Sequence, residues 1–275
     1  MDIEAFIRRF AAGLSDLEGV PLAVARPRYE ALCASFAPPD PAGMRVEDSA
    51  LGGVAVRRFL PDSAKPGTVL FVHGGGFTLG SVTSHHGVAA SLAQSLGRKV
   101  VSVDYRLAPE ADYAAMLADC RAVTKAITPI ALVGDSAGGR LVLDLAGTWT
   151  QNRADTVPPL GLIYPPLGAP DAAEPGPDAP LLSRAEVRQL GQWVAPLPLS
   201  PAMPPASLVE VLAVEHDPLT RPLEAAVAAW RRQGARVGYR CAPGMVHAAL
   251  HAQAHLPAMG KAWQAFCRAL AGHLA

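Results

Sequence analysis

The sequence predicts a layered α/β domain built on a mainly parallel sheet. Three observations carry this. Short apolar runs with β-branched residues recur at 69–72, 100–103, 130–133, 160–163 and 208–214. Each is apolar on both faces, as a strand buried on both sides of a parallel sheet must be. Helical patterns alternate with these runs, the arrangement that places helices against a parallel sheet. Half of the 275 residues are hydrophobic and 17% are charged, a composition that fits one large packed domain and not a disordered chain.

Taken in order, the chain opens with Ile3, Phe6, Ile7, Phe10, Leu14 and Leu17 on one helical face. Acids accompany its arginines, so this stripe reads as packing against the main domain rather than against a membrane. Residues 44–47 and 54–60 alternate apolar and polar, as antiparallel strands opening the sheet would. Helices are expected over 88–96, 113–127, 137–149 and 223–232, and a further strand over 237–241. The segment 158–207 is rich in proline and holds a helical stretch at 184–194. It reads as a lid or cap, with a long surface excursion as the alternative, because ligands in open α/β sheets bind beyond the strands' C-terminal ends. The expected organisation is an N-terminal helical cap segment at 1–43 and a core at 44–275, with a cap insertion at about 166–206.

Composition excludes several classes. Lys+Arg and Asp+Glu balance at 24 each, and no basic stripe of the kind a nucleic-acid binder carries is present. No run reaches the roughly 18 apolar residues of a membrane span. The opening MDIEAFIRRF lacks a basic n-region and an unbroken apolar core, so no signal peptide is read. Cys33, Cys120, Cys241 and Cys267 show no CxxC spacing, which argues against a cysteine zinc site and for reduced thiols in a cytoplasmic protein.

The chemistry gathers at strand ends. Gly134-Asp135-Ser136-Ala137-Gly138 matches the G-x-S-x-G elbow, in which a serine stands exposed on a sharp strand-to-helix turn. A plain tight turn is the alternative; a strand before and a helix after favour the elbow. A serine hydroxyl needs a base, and the base needs a carboxylate to hold its tautomer. Asp217 follows the 208–214 strand and His247 follows the 237–241 strand, giving the order Ser, Asp, His. Glu215 is the second candidate for the acid. Gly75 and Gly76, after the 69–72 strand, are the expected oxyanion donors together with the amide of Ala137; Gly74 joins them if the loop turns earlier. The glycines miss the dinucleotide pattern G-x-G-x-x-G by one position, and no P-loop motif occurs. His247, His251 and His255 are spaced four apart, but HAALH lacks the glutamate of H-E-x-x-H, so no metal is expected. His251, His255 and His273 read as surface residues. His85 and His86 lie where they could touch substrate, cap the next helix or stand in solvent.

His73-Gly74-Gly75-Gly76, Tyr105-Arg106-Leu107-Ala108-Pro109-Glu110, Gly134 to Gly139, Asp217-Pro218-Leu219 and His247 occur in that order. From about residue 50 onward the chain therefore resembles the hormone-sensitive-lipase-like family of α/β-hydrolases. The resemblance implies an eight-stranded, mostly parallel sheet flanked by helices, with a small helical cap built from the N-terminal helices and an insertion. It also implies carboxylesterase activity without a cofactor, and a homodimer through a sheet edge. The chain departs from the family at Arg140, at Ala248-Ala249 after the histidine, and at Thr220-Arg221-Pro222. The expectation is a serine esterase of short-chain carboxylic esters working through an acyl-enzyme. Phe77, Leu79, His85, Leu190 and Trp193 are the candidate substrate contacts, with Phe6 and Phe10 as further apolar candidates. An amidase or lactonase would use the same residues, and a ligand-binding protein on a hydrolase scaffold is the alternative of another class.

Overall fold

The computed structural model describes residues 1–152, 156–167, 175–193 and 204–274. Strands β1 (Met44–Leu51), β2 (Val54–Pro61), β3 (Lys65–Val72), β4 (Arg98–Val103), β5 (Ala131–Asp135), β6 (Leu160–Ile163), β7 (Leu208–His216) and β8 (Arg236–Val246) form an eight-stranded sheet. Their spatial order is β1-β2-β4-β3-β5-β6-β7-β8. β2 pairs antiparallel with β1 and β4, and the remaining pairs are parallel.

The helices are α1 (Ile3–Ser15), α2 (Leu22–Ala34), α3 (His86–Leu96), α4 (Tyr113–Ile127), α5 (Ala137–Asn152), α6 (Arg184–Trp193), α7 (Thr220–Arg232) and α8 (Pro257–Ala271). Alternation along each strand divides the core into two layers. Val69 and Phe71 of β3, Val133 of β5 and Leu212 of β7 face a layer closed by α1, α2, α3 and α8. Leu70 and Val72, Leu132, and Val211 and Ala213 face the opposite layer, closed by α4, α5 and α7. Both faces of the parallel strands are thus dry, which is why their sequences read as continuous apolar runs.

The N-terminal stripe folds as read. Asp2 caps α1 by accepting the Ala5 amide at 2.7 Å. Phe6 and Phe10 are buried, and they meet Phe36 at ring distances of 5.1 and 5.8 Å. Two helices lie outside the helical patterns read from periodicity. α2 contains Pro27 and has no clean apolar stripe. It is pinned through Arg26, whose guanidinium donates to the carbonyls of Thr78 and Ala108 and pairs with Glu110. α8 does carry a stripe, with Met259, Trp263, Phe266, Cys267 and Leu270 buried along one side behind Pro257 at its start. Most strands run longer than expected: β1 reaches Leu51, β3 starts at Lys65, β4 starts at Arg98, β5 reaches Asp135, β7 reaches His216 and β8 reaches Val246. Of the expected cap insertion, 168–174 and 194–203 lie outside the described residues.

Candidate active site

The turn from β5 into α5 is tight. Ser136 has φ 48°, a left-handed conformation that is costly for a residue with a side chain. A Cβ at Gly134 would lie 2.5 Å from the Gly138 carbonyl oxygen, and one at Gly138 would lie 2.1 Å from that of Val72. Both glycines are therefore required by close backbone approach, and the plain-turn alternative does not describe this geometry. The Ser136 amide donates to Ile163 at 2.8 Å, which ties the elbow to the end of β6.

β7 and β8 lie side by side, so the loops after them bring distant residues together. Ser136 Oγ is 3.0 Å from His247 Nε2, and His247 Nδ1 is 2.7 Å from Asp217 Oδ2. The other Asp217 oxygen accepts the Leu219 amide at 2.8 Å, which fixes the carboxylate plane. Glu215 turns elsewhere and accepts the Gly244 amide at 2.7 Å. An ionised carboxylate only accepts hydrogen bonds, so Nδ1 of His247 carries the proton and Nε2 presents a lone pair to the serine.

Gly75 and Gly76 have φ 113° and 60° and border the cavity above Ser136. Among the described residues their amides have no backbone partner. The Gly74 amide is already taken by Asp135 Oδ1 at 3.1 Å, so it is not free for an oxyanion. Ala137 begins α5, where helix amides lack acceptors within the helix.

The cavity has a volume of about 270 Å³ and is walled by Phe10, Leu14, Tyr29, Leu79, Leu181 and Leu190, among others. Of the expected substrate contacts, Leu79, His85 and Leu190 border it. Phe77 does not: it is fully buried in the core and meets Tyr113 edge-on at 5.7 Å, because its backbone at φ 66° turns the ring away. The side chain of Trp193 lies outside the described residues. Phe6 is in the core beneath Phe10.

The readings of His251, His85 and His273 need correction. His251 is not on the surface. It is buried, 5.9 Å from the Phe10 ring and 4.6 Å from that of His85. Burial, then repulsion from His85, pushes its pKa down to about 3. The segment after His247 turns into a short 3-10 helix, Ala249–Ala252, rather than continuing as an α-helix, so the spacing of four puts no histidine ladder on one face. His85 occupies the N-cap position of α3 without a side-chain cap bond, and it does not meet solvent: it is 1% exposed and contacts Asp135 and Ser84. His273 is half-buried and pairs with Glu210. Among the described residues no group of three or more His, Cys, Asp or Glu could hold a metal ion.

Tyr164 and Asp135 were missed as site residues. The Tyr164 ring lies 4.6 Å from that of His247 and borders the cavity; its place just past the 160–163 strand was the available signal. Asp135 stands inside the elbow motif itself. Burial raises its pKa, but His85, His251 and His73 outweigh burial and leave it below the usual carboxylate value.

A serine on a strand-to-helix elbow, carried by a mostly parallel eight-stranded sheet with its histidine and acid at later strand ends, defines an α/β-hydrolase architecture. The chain belongs to the α/β hydrolase fold family, which matches residues 69–251. It is 33% identical over 192 residues to the esterase LipI of Mycobacterium tuberculosis, covering 58% of each chain, and so spans little more than half of LipI. It is 30% identical over 261 residues to the carboxylesterase NlhH of Mycobacterium tuberculosis, covering 80% of each. Its fold is like that of an esterase from the bacterial hormone-sensitive lipase family, with a TM-score of 0.83, 22% identity and 98% of each chain covered. Among the described residues no helix is long and apolar enough to cross a membrane.

Proposed function

We propose that the protein is a serine carboxylesterase of short-chain carboxylic esters, with Ser136 as nucleophile, His247 as base and Asp217 as orienting acid. The hydrogen-bonded line Ser136–His247–Asp217, at 3.0 and 2.7 Å, carries this reading. His247 Nε2 takes the Ser136 proton as Oγ bonds to the ester carbonyl carbon. The carbonyl oxygen becomes an oxyanion facing the amides of Gly75, Gly76 and Ala137. The imidazolium then gives its proton to the departing alkoxide, leaving an acyl-serine and a free alcohol. Water repeats the steps, losing its proton to His247, and releases the acid. Asp217 stays ionised and holds the imidazolium.

Short acyl groups are favoured by a cavity of about 270 Å³ with apolar walls from α1 and α6. On this reading α1, α2 and α6 form the cap over the 44–275 core. The expected home is the cytoplasm, in keeping with four unpaired cysteines.

The test is a fluorophosphonate probe followed by mass spectrometry, with turnover of p-nitrophenyl esters from acetate to laurate. The expected result is one adduct on Ser136, loss of turnover in Ser136→Ala, and kcat/KM falling beyond hexanoate. An unlabelled wild-type chain without turnover would leave a binding protein on this scaffold as the better reading.

A further inference from the structure

Behind the nucleophile lies a second histidine–aspartate pair that the proposed mechanism does not use. His85 Nε2 is 3.2 Å from Asp135 Oδ2, and His85 Nδ1 is 2.8 Å from Ser84 Oγ. Both residues are buried, His85 to 1% and Asp135 to 3% exposure. Asp135 immediately precedes Ser136. Its other oxygen accepts the amide of Gly74, which immediately precedes the two glycines whose amides have no backbone partner among the described residues. The approach is close: a Cβ at Gly74 would lie 2.6 Å from Asp135 Oδ2 and 3.1 Å from the Ser136 Cβ. One carboxylate therefore bridges the two loops whose separation decides where an oxyanion sits relative to the attacking oxygen.

We propose that His85 is a positioning residue: by donating from Nε2 to Asp135, it sets the carboxylate that clamps the glycine loop to the nucleophile elbow. Ionised Asp135 can only accept, so Nε2 of His85 must carry a hydrogen. The ring itself cannot swing away, because His73, His251 and Phe71 surround it at 5.5, 4.6 and 6.3 Å. Without that donor the carboxylate is free to rotate out of line with the Gly74 amide, and the amides of Gly75 and Gly76 lose their register with Ser136. The penalty then falls on the charged tetrahedral species and not on ester binding. Removal of an oxyanion donor costs about 100- to 1,000-fold in turnover, and a misplaced loop should cost somewhat less.

This rests on the triad reading above, and the experiment separates the two. Wild type, His85→Leu, His85→Gln and His85→Asn are compared by thermal melt, fluorophosphonate titration of Ser136, kcat and KM on p-nitrophenyl acetate, and inhibition by a trifluoromethyl ketone. That ketone bonds to Ser136 Oγ while the serine proton passes to His247, so it reports the oxyanion environment. The expected result for His85→Leu is a kcat per titrated site lowered about 30-fold or more, with KM within about threefold. The ketone should weaken in proportion to kcat/KM. His85→Gln, whose amide nitrogen reaches the Nε2 position, should keep at least about a fifth of wild-type kcat. A His85→Leu variant with near-wild-type kcat per titrated site, or a ketone affinity that does not follow kcat/KM, would overturn the proposal. If His85→Leu does not fold, equal turnover of His85→Gln and His85→Asn overturns it, because asparagine reaches only the Ser84 side. A wild-type chain that neither labels nor turns over would sink the triad reading and this inference with it; labelling intact with His85 indifferent sinks this inference alone.

Discussion

Gly138 and Gly147 belong to the same helix, α5, yet the same substitution should act on them in opposite ways. A methyl group at Gly138 meets the carbonyls of Val72 and His73, which are backbone and cannot yield cheaply. Gly138→Ala is expected to lower kcat/KM on p-nitrophenyl acetate by more than about 100-fold, since any relief must move either the elbow or the glycine loop. Gly147 is exposed and has open space where a Cβ would go. Gly147→Ala should stabilise by about 0.5–1 kcal/mol, read as a higher denaturant midpoint with unchanged turnover. At the triad, Asp217→Asn preserves shape but lets Nδ1 of His247 become the acceptor, putting the proton on the wrong nitrogen. A kcat loss of about 10,000-fold is expected, with the melting temperature nearly kept.

Among the elements, α1 has two roles that can be separated by measurement. Phe10 packs on Phe6 and Phe36 and also borders the cavity. Phe10→Ala is expected to cost about 3–5 kcal/mol of stability. It should also shift the preferred p-nitrophenyl ester toward longer acyl chains, because the removed ring leaves space in line with the pocket. The strands of the parallel sheet were legible because burial on both faces writes itself as an unbroken apolar run, as in 69–72 and 130–133. The elbow and the two later strand ends were legible because their chemistry is local and ordered. α2 was not, since its place depends on Arg26 reaching the carbonyls of Thr78 and Ala108, contacts that leave no periodicity in the chain. α8 carries its signal in the chain, with Trp263, Phe266 and Leu270 at helical spacing. The burial of His251 and the inward turn of Phe77 followed from tertiary packing and backbone angle, which spacing alone does not encode.

For the whole molecule, two buried imidazoles govern stability in acid. Burial, and then His85, hold the pKa of His73 and of His251 at about 3. An unfolded histidine titrates near 6.5, so between those values the unfolded chain takes up protons that the folded chain refuses. The stability these groups contribute is whole above about pH 6.5 and drains away as pH falls toward 3. The loss is about 1.4 kcal/mol per pH unit for each imidazole. Melting temperatures from pH 7 to 4 should fall steeply in wild type and less steeply in His251→Phe. Asp135, with its lowered pKa, acts in the same direction at still lower pH.

Ser136 and His247 meet across 111 residues of sequence, and their loops become neighbours only when strands from both halves of the chain have docked. No fragment or half-assembled intermediate can hold that geometry, and pairings of such long range form slowly. Hydrolysis regained after dilution from denaturant should therefore lag behind recovery of helical circular dichroism, making ester turnover a clock for the final closure of the sheet.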